Sequence, residues 1–226
     1  YCKLRIVFNR NQIRHIRPIL MIFFNTIAIS IYVNADSTML GFYYDNTQVG
    51  LYGTAVRIYT LLKQVLVAVM TVLIPRFSLL LNKGEDEKKQ ANALINKVFD
   101  TMCVIVVPAS VGLFMISEDL IHLIAGVSYL GGTSSLKILT IAVLFALFSY
   151  LCTQCILIPK KQEKIVLIAS VSSALLNIAL NFFFIPRYGI VGAAITTVIA
   201  EIMVLSISYK YANKIVYLKI IGSNIA

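Results

Sequence analysis

Two apolar runs lie back to back near the C-terminal end: Ile165-Val-Leu-Ile-Ala-Ser-Val-Ser-Ser-Ala-Leu-Leu-Asn-Ile-Ala-Leu-Asn-Phe-Phe-Phe-Ile185, and Ile190-Val-Gly-Ala-Ala-Ile-Thr-Thr-Val-Ile-Ala-Glu-Ile-Met-Val-Leu-Ser-Ile-Ser208. Each is close to the roughly 20 residues that an α-helix needs to cross the hydrocarbon core of a bilayer. Between them stands Pro186-Arg-Tyr-Gly189, whose proline and glycine punctuate a helical run. In hydrocarbon the backbone must satisfy its own hydrogen bonds, so such segments fold as helices. The stretch therefore reads as two membrane helices joined by a short turn.

Outward from this pair, apolar stretches recur at roughly 18–42, 53–81, 98–117 and 136–158, and the pair itself occupies roughly 164–186 and 190–211. Hydrophobic residues make up 59% of the 226 residues and charged residues only 13%, and mean hydropathy is +0.85. Those values exclude an ordinary soluble domain. The expected fold is all-α: a polytopic bundle of six transmembrane helices over 18–211, with a basic lead-in at 1–17 and a tail at 212–226. The chain opens with Tyr1-Cys2-Lys3 and shows no signal-peptide pattern, and it is expected to be a piece of a longer protein.

The formal net charge of +10 is distributed by topology. Lys3, Arg5, Arg10, Arg14 and Arg17 precede the first span. Lys83, Lys88, Lys89 and Lys97 follow the second, with Arg76 at its end; Lys160, Lys161 and Lys164 follow the fourth, and Lys210, Lys214 and Lys219 the sixth. The alternate connections are nearly bare of lysine and arginine, so the positive-inside rule puts both ends of the segment in the cytoplasm. Basic residues that alternate across a membrane cannot form one phosphate-tracking groove, which excludes nucleic acid as a partner. Arg10, Arg14 and Arg17 also recur at helical spacing and suit anionic lipid headgroups.

Enzyme and metal signatures are not found. Cys152-x-x-Cys155 falls inside an apolar span, where cysteines pack as small soft residues. His15 and His122 have no partner at ligand spacing, and no phosphate loop or nucleophile elbow occurs.

The chemistry rests on polar residues inside the spans, where each ionised group is costly and needs a partner or water. Asn25, Ile29, Tyr32 and Asp36 share one stripe of the first span, since eleven residues return almost to the same azimuth. Ser170, Ser173, Asn177 and Asn181 form a polar strip along the fifth, where they serve either as interhelical glue or as cavity lining. Thr197 and Glu201 lie one turn apart in the sixth. Arg57, Thr60, Lys63 and Gln64 occupy one sector of the second. Asp36 can act as an interfacial cap or a functional acid, and Lys63 either snorkels to an interface or faces the bundle interior. Glu201, with apolar residues on both sides, demands a partner.

Four segments resemble the oligosaccharide and O-antigen flippases, the polysaccharide-biosynthesis branch of the MATE-like multidrug/oligosaccharidyl-lipid/polysaccharide exporter superfamily. They are Asp36-Ser-Thr-Met-Leu-Gly41 with Val49-Gly-Leu-Tyr-Gly-Thr-Ala-Val-Arg-Ile58; Ile74-Pro-Arg-Phe-Ser78; Pro108-Ala-Ser-Val-Gly112 with Leu123-Ile-Ala-Gly126 and Tyr129; and Tyr188-Gly-Ile-Val-Gly-Ala-Ala-Ile-Thr-Thr197 with Ala200-Glu201. Their order, from about Arg14 to Tyr211, is similar to the second six-helix half of such a protein.

The resemblance implies the C-terminal lobe of a two-lobed, alternating-access transporter in the bacterial cytoplasmic membrane. Its cargo would be an undecaprenyl-pyrophosphate-linked sugar repeat unit for O-antigen or capsule synthesis. Its partners would be the missing N-terminal lobe, membrane lipid and the polysaccharide polymerase machinery. On that reading Lys63 and Arg57 attract the diphosphate. Asn25, Gln154, Ser173, Asn177 and Asn181 line the substrate cavity, and Tyr32, Tyr59 and Tyr150 stack on sugars in a chain that has no tryptophan. No cofactor or catalytic residue is expected. Coupling to H⁺ or Na⁺ would fall to Asp36 and Glu201. Two other readings are a cation-coupled multidrug antiporter of the same superfamily and an integral-membrane polymerase or acyltransferase. The basic second span opposes the first, and short outer connections oppose the second.

Overall fold

The computed structural model describes residues 13–217. Lys3, Arg5, Arg10 and Lys219 of the expected basic lead-in and tail lie outside the described residues, as do the side chains of Arg14, Arg17, Ile29 and Tyr32. Every element among the described residues is helical: α1 (Ile13–Tyr43), α2 (Asn46–Thr71), α3 (Ile74–Leu81), α4 (Glu85–Met115), α5 (Ser117–Ala125), α6 (Thr133–Tyr150) and α7 (Glu163–Ala212). A 3₁₀ turn, Val127–Gly132, leads into α6, and a π-helical segment, Leu151–Leu157, continues it. Among the described residues, four helices are long and apolar enough to cross a membrane: Asn46–Thr71, Asp86–Met115, Val127–Leu157 and Glu163–Ala212.

Local chemistry explains where the expected boundaries shift. The helix that carries the second apolar stretch begins ahead of position 53, at Asn46, where Asp45 caps it by accepting a hydrogen bond from the Gln48 amide at 3.1 Å. The stretch also breaks in two: Pro75 sits in the first turn of α3, a position that tolerates its missing N–H and marks a new helix start. The helix that carries the third stretch begins at Glu85, ahead of the apolar residues. Asp86 and Glu87, near its start, complement the positive end of a helix. Pro108 is carried inside α4. The connection at 118–135 is mostly ordered, as most of α5 and the 3₁₀ turn.

α7 is the antiparallel pair expected from 165–208. Gly189 has φ 54 and ψ −133, outside helical geometry, three residues after Pro186. Ser173 Oγ donates to the Ala200 carbonyl at 2.9 Å, although in one straight helix those residues would stand about 40 Å apart. The arms, 163–188 and 190–212, touch closely near the turn: a Cβ on Gly192 would lie 2.4 Å from the Phe184 carbonyl oxygen. Tyr44 of the α1–α2 connection donates toward the carbonyls of Ile185 and Pro186, both at 3.2 Å, which partly satisfies the acceptors freed where the helix stops.

α6 is the central helix. It packs against α2, α4 and α7, and Leu136, Leu139, Ala142, Val143, Ala146 and Leu147 are all buried along it. Val65, Val69, Val104, Val111, Phe182 and Phe183 point outward, as expected of a lipid-facing surface. The connections separate into two ends. At one, Asn82 donates to Pro159 O at 3.0 Å, Lys160 donates to Leu81 O and Asn96 to Tyr217 O at 2.9 Å. Lys83, Lys160, Lys161 and Lys214 gather there. At the opposite end, where Tyr44 meets residues 185–186, Asp45 and Arg187 lie in the connections.

Candidate functional site

Two polar groupings cross the interface between α2 and the second arm of α7. The first is built on Asp36, which is 4% exposed near the C-terminal end of α1. Tyr52 Oη of α2 donates to its Oδ2 at 2.7 Å and Thr197 Oγ1 of α7 to the same oxygen at 2.8 Å. Asn181 Nδ2 from the first arm donates to Oδ1 at 2.7 Å. Thr196 donates to Asn181 Oδ1 at 2.5 Å, and Asn181 also reaches Asn177 Oδ1 at 3.2 Å. A carboxylate can accept several hydrogen bonds at once, and neutral donors from three directions hold this one. Asp36 is therefore neither exposed nor an interfacial cap.

The second grouping lies two turns further along α2. Lys63 Nζ donates to Glu201 Oε1 at 3.0 Å, and Tyr59 Oη donates to the same oxygen at 3.2 Å. Lys63 also donates to Tyr59 Oη at 3.3 Å. The Glu201 side chain is 7% exposed and that of Lys63 is 31% exposed. Because α2 begins at Asn46, Lys63 lies well along the helix, and its ammonium turns to Glu201 instead of snorkelling to an interface.

Two cavities adjoin this pair. The larger, of about 310 Å³, is lined by Asp36, Tyr52, Thr60, Lys63, Gln64 and Glu201 among others. The smaller, of about 170 Å³, presents hydroxyls and amides from Asn25, Ser149, Thr153, Gln154, Ser170 and Ser173. Lys63, Tyr150 and Glu201 belong to both walls. Asn25 Oδ1 is buried with no partner among the described residues. Thr153 and Gln154 reach the smaller cavity from the π-helical segment, where Ile158 N bonds to Thr153 O at 2.9 Å across five residues. Such a turn widens a helix and is frequent where side chains must be re-aimed toward a site.

The structure thus divides the residues expected to line one substrate cavity. Lys63, Asn25, Gln154 and Ser173 line the cavities; Ser173 additionally ties the arms of α7. Asn177 and Asn181 are fully buried in the Asp36 cluster and line neither cavity. Arg57 is exposed and lines neither, because at about 100° per residue it stands roughly 120° around α2 from Lys63. Tyr150 lines both cavities, and its hydroxyl lies 3.1 Å from Thr71 Oγ1. Tyr59 is committed to Glu201. Cys152 and Cys155 are buried in the hydrophobic core.

Sequence reasoning missed the part played by Tyr52, Thr196 and Thr153. Tyr52 carried a usable signal: positions 52, 56, 59 and 63 form one stripe of α2 that ends on Lys63. Thr196 and Thr153 offered none, since their partners come from elements distant in sequence.

Among known proteins, a family described as polysaccharide biosynthesis protein matches residues 1–133. An uncharacterized membrane protein of Methanocaldococcus jannaschii is 29% identical over 151 residues, covering 66% of this chain and 29% of its own length. A probable low-salt glycan biosynthesis flippase of Haloferax volcanii is 26% identical over 165 residues, covering 73% of this chain and 34% of its own length. The chain thus spans about a third of the length of these curated relatives. No solved structure matches. With the match running through more than half of the sequence, and with a helical bundle that meets the demands of a membrane interior, the chain belongs to the polysaccharide biosynthesis protein family.

Proposed function

We propose that this chain is one six-helix lobe of a flippase that carries polyprenyl-pyrophosphate-linked sugar repeat units across the cytoplasmic membrane by alternating access. The observation that carries the reading is the Lys63–Glu201 pair at 3.0 Å, set between two cavities whose largely apolar walls carry hydroxyls and amides. A diphosphate and its sugars cannot cross hydrocarbon unaided. A cation with hydroxyls and amides beside it supplies what that headgroup needs, while the polyprenyl tail stays in lipid. Both ends of the segment would lie in the cytoplasm, with the lysine-rich end of the bundle facing it. The missing lobe would complete the cavity, and rocking of the lobes would expose it alternately. The flippase name of the Haloferax volcanii relative supports the same class of cargo.

The test uses the full-length protein. Lys63→Ala and Glu201→Gln are expected to retain normal membrane levels yet lower surface polysaccharide, with lipid-linked repeat units accumulating on the cytoplasmic leaflet. Normal export in both variants would remove the charged cavity from the mechanism.

A second reading, a cation-coupled antiporter, is favoured by the two buried carboxylates, Asp36 and Glu201. In either transporter we assign them to coupling with H⁺ or Na⁺. Export that persists after the ion gradients are collapsed would argue against that assignment.

A further inference from the structure

We propose that Glu201 is a built-in stand-in for the phosphate of the cargo: it occupies Lys63 when the cavities are empty, and an incoming diphosphate displaces it. This rests on the flippase reading above. Among the described residues lining the two cavities, Lys63 is the one basic side chain. An anion in either space must therefore use an ammonium already held by Glu201 at 3.0 Å. The carboxylate and the phosphate compete for the same cation.

The geometry suits exchange more than permanent anchoring. Lys63 remains 31% exposed, whereas Glu201 is 7% exposed, so the cation is the partner that solvent and cargo reach. An ammonium is a point charge with three donors on a flexible stem. It can keep Tyr59 Oη, at 3.3 Å, while trading a carboxylate oxygen for a phosphate oxygen. Tyr59 also donates to Glu201 Oε1 at 3.2 Å, and this contact keeps a donor on the carboxylate after Lys63 leaves it. Lys63 and Glu201 form part of the wall shared by the two cavities, so their separation opens the charged space toward the hydroxyl-lined one. Arrival of the diphosphate would in this way admit the attached sugars. A cargo without an anionic group could not part the pair, which makes Glu201 a specificity-determining residue.

A purely structural tie predicts that loss of Glu201 leaves anion binding unchanged or weaker. Competition predicts the opposite. Farnesyl diphosphate, with uncharged farnesol as control, would be titrated into the purified full-length protein in nanodiscs. Glu201→Gln is expected to bind the diphosphate about fivefold or more tightly than the unaltered protein, and farnesol equally. Lys63→Gln is expected to lose at least as much. The double variant should bind as weakly as Lys63→Gln, because without the cation there is nothing to compete for. If Glu201→Gln fails to fold, Glu201→Asp keeps the charge but draws it back by one methylene, and it should tighten binding by a smaller factor. Unchanged or weaker binding in the folded Glu201 variant overturns the proposal. Exchange without any export defect in the cellular assay would overturn the flippase reading alone, and an export defect without exchange would overturn this inference alone.

Discussion

Asp36 and Glu201 are both buried carboxylates at the meeting of α2 with α7, yet they are satisfied in different ways. Asp36 accepts from Tyr52, Thr197 and Asn181, all neutral and all themselves buried. Glu201 accepts from Tyr59 and from a cation that stays partly exposed to two cavities. Fixed neutral donors from three helical segments lock a fold together. A single, partly exposed cation at a cavity wall leaves an interaction that a ligand can replace. Both carboxylates line the larger cavity, but Asp36 is the more firmly held and the Lys63–Glu201 pair the more readily parted.

The largest expected effect on stability comes from Asp36→Val. Removing the shared acceptor leaves Tyr52 Oη only the Thr197 hydroxyl at 3.3 Å, while Thr197 can still donate to Ala193 O at 3.0 Å and Asn181 to Asn177 at 3.2 Å. Three hydrogen bonds to a carboxylate, each worth about 1.5–3 kcal/mol, are lost and partly replaced by these weaker contacts, so the expected cost is about 2–4 kcal/mol. Thermal unfolding in detergent measures this, and Asp36→Asn, which keeps an acceptor, should lose less. A melting temperature unchanged by Asp36→Val would break the comparison.

Lys63→Met comes next. Breaking a fully buried pair costs about 3–5 kcal/mol, and the exposure of Lys63 brings the expectation down to about 1–2 kcal/mol. The double replacement Lys63→Met with Glu201→Met should restore stability without restoring export. That outcome would sharpen the comparison by separating folding from function; recovery of export with stability would merge them again.

The smallest effect is expected for Thr197→Val, which removes one hydrogen bond of 2.8 Å to a carboxylate that keeps two other donors. Interhelical bonds of this type contribute about 0.6 kcal/mol in a membrane. A loss of several kcal/mol in the same unfolding assay would show the Asp36 cluster to be more cooperative than its individual contacts.

The sequence by itself determined the helical class, the placement of the apolar stretches and the hairpin at 165–208. These follow from local chemistry: run length, proline and glycine at the turn, and the demand that backbone groups bond within their own segment. It also singled out Lys63 and Glu201, since a charge amid apolar neighbours advertises its cost wherever it falls. Only the tertiary structure decided that the two are partners across 138 residues. It likewise decided that Asn177 and Asn181 serve Asp36 instead of a cavity, and that Arg57 faces away while Tyr52 faces in. Helical periodicity fixes which residues share a face, but it carries no record of which neighbouring helix that face will meet. Where a polar strip is equally suited to glue or to cavity lining, the packing of α1, α2 and the two arms of α7 made the choice.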